Sequence, residues 1–215
     1  MLVSRLGSGE SGAGKTESTK LILQFLSART DRTSPIETMV LESIPVLEAL
    51  GNAKTSRNDN SSRFGKFIEI QFDEDHYIIG SRIIPYLLEK SRIISPHEGE
   101  RNYHIFYEMT QGMSPEEKEK YHLTKALDYR YLNCTTAVAI KGLDETEELT
   151  AYKRALRLFE VSEEVEEDLF RILASVLHLG NTTYKGQGEG SQLENPKAGM
   201  SFSLSPCLSY LLSRM

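Results

Sequence analysis

Long apolar runs are missing from this sequence. No stretch approaches the roughly 18 uninterrupted apolar residues of a membrane span, and the start has no basic region followed by an apolar run. Neither membrane spanning nor secretion is expected, and the chain reads as cytoplasmic. A basic excess is missing too: 25 Lys and Arg face 31 Asp and Glu, a net charge of −6, which argues against a general nucleic-acid binder. Cysteine is scarce, and Cys134 and Cys207 stand isolated without metal-ligand spacing, so both read as reduced thiols. His97-Glu98 followed by His104 does not make the H-E-x-x-H of a zinc protease. Asn58 to Ser62 looks superficially like a calcium loop, but Arg63 stands where that loop requires glycine. Without a secretory route, the Asn-x-Ser/Thr triplets at Asn60, Asn133 and Asn181 read as chance.

What is present starts with Gly9-Glu10-Ser11-Gly12-Ala13-Gly14-Lys15-Thr16, which fits the phosphate-loop pattern G-x-x-x-x-G-K-[ST] at every fixed position. Gly9, Gly12 and Gly14 carry no Cβ, so the backbone can take positive φ and turn its N–H groups onto phosphate oxygens at a helix start. Lys15 has a stem long enough to reach β- and γ-phosphates, and the Thr16 hydroxyl can ligate the Mg²⁺ that bridges them. A glycine-rich turn before an ordinary helix is the plain alternative. A phosphate loop should follow a buried parallel strand, yet Met1 to Ser8 offers only Leu2, Val3 and Leu6 as apolar residues after the first, interrupted by Arg5 and Gly7. The strand is expected to be missing or broken. After the loop, Leu21, Ile22, Phe25 and Leu26 recur at helical spacing.

At 215 residues with 39% hydrophobic side chains, the chain has room for one generous domain or is a piece of something larger. Ser34-Pro35-Ile36-Glu37 predicts a capped helix start, with Ile36, Val40, Ile44, Leu47 and Leu50 on one face, a kink at Pro45 and a stop at Gly51. Lys66 to Phe72 and Tyr77 to Ile84 read as antiparallel strands around an Asp73-to-His76 turn. Arg101 to Met113 is expected to be helical, and Ser114-Pro115-Glu116-Glu117 starts another capped helix. A helical pair follows, marked by Leu149, Tyr152, Leu156 and Phe159, then by Val165, Leu169, Ile172, Leu173 and Val176 before Gly180. Acidic clusters fall at both helix starts, where negative charge meets the positive end of the macrodipole. His178 reads as a satisfied core histidine. Lys185 to Pro206 is rich in Gly, Ser and Pro without period, and disorder is expected there.

The polar run from Asn52 to Lys66 lies between a helix and a strand. A solvated loop would explain it, but nucleotide hydrolysis needs a second loop with a hydroxyl for Mg²⁺, donors for the γ-phosphate and a group that organises water. Asn58, Ser61, Ser62 and Arg63 are of those types. Together, Gly9 to Lys20, Asn52-Ala53-Lys54-Thr55 and Asn58 to Lys66 resemble the myosin motor domain. So do Leu87 to Arg92, Glu100 to Tyr107 and Leu173 to Asn181, in the family's order. Kinesins share the Asn-x-x-Ser-Ser-Arg core, but Phe64-Gly65-Lys66 is the myosin continuation. The spelling is most similar to unconventional classes of the seventh, tenth and fifteenth kinds.

The resemblance implies an α/β fold: a P-loop NTPase-like partial core with antiparallel strands and a helical subdomain, an incomplete motor domain over residues 1–184 and a divergent tail over 185–215. It implies ATP and Mg²⁺ as ligands, actin as the parent motor's partner, no nucleic acid and no membrane span. By it, Gly9 to Thr16 and Asn58 bind the nucleotide, Thr16 and Ser62 ligate Mg²⁺, Ser61 helps position the lytic water, and Arg63 pairs with a glutamate in a later Asp-x-x-Gly-Phe-Glu segment. That segment does not occur here, which leaves Arg63 without an identified partner and makes turnover by this chain alone doubtful. The chain reads as a truncated product, a variant transcript or a partial gene model, with marginal stability expected from uncovered apolar faces. A non-catalytic interaction or dominant-negative role is the alternative, and an unrelated phosphate-loop kinase or GTPase would leave Asn58 to Lys66 without a role.

Overall fold

The computed structural model describes residues 9–28, 35–75, 77–187 and 190–194. The strand question at Met1 to Ser8, the Ser34 cap, His76, Cys207 and the end of the expected tail lie outside them. Helix α1 (Lys15–Ala28) follows the glycine-rich loop. Of its expected apolar stripe, Leu21 is 64%, Ile22 39% and Phe25 61% exposed, while Leu23 is buried. Helix α2 (Pro35–Glu42) packs against it and buries its own Val40.

The expected kink separates α2 from α3 (Ile44–Gly51) at Ser43. Pro45 occupies the first turn of α3, where its missing N–H costs nothing, and the Ser43 hydroxyl donates to the Val40 carbonyl at 2.6 Å. Gly51 ends the helix, as expected, but for a different reason. A Cβ there would lie 2.4 Å from the Phe64 ring, so glycine is needed to let the polar run pack against the helix end.

All strand pairing among the described residues is antiparallel. Asn52–Ala53 (β1) pairs with Ser61–Ser62 (β2), and Gly65–Phe72 (β3) pairs with Ile78–Tyr86 (β4) through a register that runs from Gly65 opposite Tyr86. The expected β3–β4 hairpin is present and runs two residues past Ile84. Tyr184–Gln187 (β5) and Gly190–Leu193 (β6) form a third hairpin. This corrects the expectation of disorder for that part of the tail: Lys185 and Glu194 pair at 2.7 Å, and the Glu194 N–H donates to Thr183 at 2.8 Å.

The core lies in the helical part. Helix α4 (His104–Tyr107) widens into a π-helical turn (Glu108–Gly112), followed by α5 (Pro115–Lys120), α6 (Glu145–Leu158) and α7 (Glu163–Gly180). The capping box that starts α5 is complete: the Glu117 N–H donates to the Ser114 hydroxyl, and the Ser114 N–H to the Glu117 carboxylate. Asp144 and Ser162 cap α6 and α7, with the acidic residues in the first turns. On α7 the fully buried face is Phe170, Ala174 and Leu177, one residue round from the expected stripe, and Val165 is 50% exposed. Tyr121 and Tyr152 take the Phe170 ring at centroid distances of 5.8 and 5.9 Å, and that contact sets the helix rotation. His178 is satisfied as expected: it contacts the Tyr121 carbonyl at 3.3 Å and meets the Tyr129 ring edge-on.

A buried polar cluster joins the π turn to α6. Arg101 is fully buried, donates to Glu145 at 2.6 Å and lies 3.7 Å above the Tyr107 ring. Among the described residues, Glu108 Oε2, Glu145 Oε2, Tyr152 OH and two further Arg101 nitrogens have no hydrogen-bond partner. Burial, aided by the charges of Glu145 and Glu148, pushes the Glu108 carboxyl from 4.5 up to about 8, against the opposing effect of Arg101.

Two outcomes are expected. A Cβ on Gly112 would lie 2.4 Å from the Glu145 carbonyl oxygen. Gly112→Ala should therefore destabilise the helical core by roughly 2–4 kcal/mol, read as faster amide hydrogen exchange in α6. The folded chain keeps a Glu108 proton that the unfolded chain loses above pH 4.5, so stability is fullest below that pH and is lost as pH rises through about 8. Glu108→Gln should remove this loss, so that the unfolding free energy of the variant relative to the parent, read by denaturant titration, grows between about pH 5 and about pH 9 by an amount on the order of a few kcal/mol.

Candidate nucleotide site

Local backbone geometry builds the glycine-rich loop. Gly12 and Gly14 sit at φ +82° and +83°, where a side chain would be strained. A turn from Ala13 N–H to Glu10 C=O at 3.2 Å leads into α1, whose ladder begins with Ser18 N–H to Gly14 C=O at 2.8 Å. The start of this 14-residue helix therefore opens on the loop, the arrangement that suits an anion. Gly9 to Ala13 are exposed, and Gly14, Lys15 and Thr16 are half-buried. Lys15 curls beneath its own loop, donating to the carbonyls of Gly9 at 2.6 Å and Glu10 at 2.7 Å.

The second loop is a tight hairpin. The Thr55 N–H and hydroxyl both donate to the Asn58 carbonyl, at 2.8 and 3.1 Å, and the Asn58 N–H donates back to the Thr55 hydroxyl at 3.2 Å. Asn52 donates to the Asn60 side chain, which donates to Glu48 on α3. Lys54 and Asp59 form an ion pair across the turn.

The two loops meet at Ser11 and Ser61, whose hydroxyls lie 2.8 Å apart. The Asn58 amide also reaches the Ser11 hydroxyl, at 3.5 Å, and a Cβ on Gly12 would touch Asn58 at 3.8 Å. Gly9 to Lys15, Asn58 and Ser61 are thus brought together. Ser61 is buried, while Ser62, the next residue on β2, is exposed. Successive side chains on a strand point to opposite sides, so only one of the two serines faces Ser11.

Arg63 has a partner, which corrects the reading that left it without one. Its Nε donates to Glu89 at 2.6 Å and its Nη1 to the Ser61 hydroxyl at 3.3 Å. The Glu89 N–H also donates to the Arg63 carbonyl at 3.0 Å. Glu89 accepts a further bond from Arg92 at 2.8 Å, and Arg92 donates to Glu100 at 2.8 Å and to the Arg101 carbonyl at 3.0 Å. The sequence reading used Glu89, Arg92 and Glu100 only as family spelling. The signal available was the three-residue spacing of opposite charges in Glu89-Lys90-Ser91-Arg92. Burial works to raise the Glu89 carboxyl, but hydrogen bonds from Arg63 and Arg92 outweigh it and hold the group below the usual carboxylate range.

The residues present fit a magnesium–phosphate group. Two left-handed glycines, a lysine and a helix start make a cradle for an anion, and Thr16 offers a hydroxyl at that start, while the Ser62 hydroxyl lies on the side of β2 opposite to Ser61 and its contact with Ser11. Among the described residues no cluster of three or more His, Cys, Asp or Glu could hold a metal, so a magnesium ion here would take most of its ligands from phosphate and water, as is usual for this ion. No described helix is long and apolar enough to cross a membrane.

Comparison with known proteins agrees with this geometry. Residues 3–207 match the model of the myosin head (motor domain) family. The Myosin-I heavy chain of Dictyostelium discoideum is 53% identical over 178 residues, covering 83% of this chain and 8% of that protein. Unconventional myosin heavy chain 6 of Caenorhabditis elegans and Myosin-VIIa of Drosophila melanogaster are 52% and 49% identical over 178 residues, again 83% of this chain and 8% of each relative. The chain therefore spans less than a tenth of the length of these relatives. With a family model over nearly its whole length and the phosphate loop in place, this chain belongs to the myosin head (motor domain) family.

Proposed function

We propose that the chain carries a magnesium–ATP site of an actin-based motor, and that its two polar loops close on the phosphates. The observation that carries this reading is the Ser11–Ser61 contact of 2.8 Å, which draws the phosphate loop and the Asn58-to-Arg63 stretch onto one point. In this reading, backbone N–H groups from Gly9 to Thr16 and the Asn58 amide hold the phosphates. Lys15 exchanges two neutral carbonyl acceptors for anionic phosphate oxygens, which adds direct attraction between opposite charges to bonds whose donor is already ionised. Thr16 and Ser62 are the residues that would hold magnesium, whose charge offsets that of the β- and γ-oxygens. Ser61, held between Ser11 and Arg63, is placed to orient a water. Actin is the proposed partner of the longer protein to which such a site belongs.

A second reading has support from exposed apolar residues: Leu21, Ile79 and Leu87 are 64%, 57% and 85% exposed. In it the chain acts as a non-catalytic interaction or dominant-negative module. Titration with a fluorescent ATP analogue, with and without Mg²⁺, separates the two. Saturable, magnesium-dependent binding is expected, weakened about 10- to 100-fold by Lys15→Ala, the loss of one charged hydrogen-bonding group. No saturable binding by the parent chain would favour the interaction reading. Hydrolysis by this chain alone is expected to be negligible, and phosphate release abolished by Lys15→Ala would overturn that expectation.

A further inference from the structure

Arg92 lies deep in the fold, with its side chain 1% exposed, yet it binds two carboxylates from different segments. Both carboxylates reach on to the hairpin that forms one wall of the proposed site. Glu89 grips its far end at Arg63, through the side-chain bond of 2.6 Å and the backbone bond of 3.0 Å. Glu100 grips its near end, accepting the Ser56 N–H at 3.3 Å. The Arg101 N–H adds a bond to the Lys54 carbonyl at 3.0 Å. The hairpin between Ser56 and Arg63 is therefore tied at both ends to one guanidinium, and Arg63 links that network to the Ser61 hydroxyl.

The chain leading to Glu89 is bent at a cost. Leu87 adopts φ +55° although it is not glycine, and its side chain is 85% exposed. No burial of its own side chain offsets the strained conformation. Past this residue the β3–β4 register, which sets Gly65 opposite Tyr86, carries Glu89 to the level of Arg63. The Tyr103 hydroxyl fixes the result by donating to the Glu89 carbonyl at 2.7 Å.

We propose that Glu89 is a positioning residue for nucleotide recognition: through Arg63 it holds the Asn58–Ser62 wall against the phosphate loop and so sets how well a triphosphate is distinguished from a diphosphate. This rests on the magnesium–ATP reading above. A diphosphate is held by the phosphate loop itself, whereas the second loop adds donors for the terminal phosphate. Releasing the second loop should therefore cost the triphosphate and spare the diphosphate. A general loosening of the fold would weaken both together.

The test is Glu89→Gln, which keeps the shape and removes the charge, beside Glu89→Asp, which keeps the charge. In ligand-free protein, amide exchange at residues 58–63 should rise about tenfold or more in Glu89→Gln, with α6 unchanged and with partial recovery in Glu89→Asp. With fluorescent ATP and ADP analogues in Mg²⁺, the affinity for the triphosphate should fall about tenfold in Glu89→Gln, while that for the diphosphate stays within about twofold. Unchanged exchange at residues 58–63, or an equal fall in both affinities, would overturn the proposal. If the parent chain binds neither nucleotide, the magnesium–ATP reading fails, and with it the proposed discrimination. The exchange result then decides whether Glu89 still holds the loop.

Discussion

The guanidinium of Arg92, closed between Glu89 and Glu100, is the interaction on which the arrangement of this protein turns. A buried cation is expensive to desolvate unless each of its donors finds an acceptor with good geometry. Here Nε, Nη1 and Nη2 all do, and two of those acceptors are charged. Burial alone would lower the arginine's affinity for its proton, but Glu89 and Glu100 more than reverse that effect. The network is therefore well satisfied where it faces the loops. Breaking it from one side would leave a charge stranded in the interior, which is what makes it specify a single geometry.

The neighbouring cluster around Arg101 contrasts with it. Among the described residues only one of that guanidinium's side-chain nitrogens has a hydrogen-bond partner, in Glu145, and Glu108 lies close by with an unsatisfied oxygen. The two arginines sit nine positions apart and are joined through the Arg101 carbonyl, yet one belongs to a closed network and the other to an open one. The apolar packing of Phe106, Tyr107, Leu149 and Tyr152 surrounds the open cluster, so the core carries the cost of holding it. Tertiary packing overrides the polar preference of Glu108 there, which is the first residue of the π-helical turn.

Much of this was legible in the sequence. The spacing of Gly9, Gly12, Gly14 and Lys15 announces the loop, and the Ser114-to-Glu117 capping box announces a helix start, because both are local: the residues that cause the structure are within one turn of it. The hairpin of β3 and β4 was readable for the same reason. What was not legible depends on distant partners. The rotation of α7 follows from where Tyr121 and Tyr152 meet Phe170, and the partner of Arg63 comes from a segment 26 residues further along the chain. Gly51 shows the mixed case, since the helix end was predictable but the Phe64 ring that demands glycine was not.

Lys15 carries a further consequence. A free lysine side chain surrenders about 2 kcal/mol of rotamer entropy when it is immobilised. In this protein the ammonium is already tethered to the carbonyls of Gly9 and Glu10, so that loss falls on folding rather than on capture of an anion. For the proposed magnesium–ATP site this means preorganisation: a phosphate would meet a cation that needs only to swing over, and recognition would be an exchange of acceptors instead of an ordering of a loose chain.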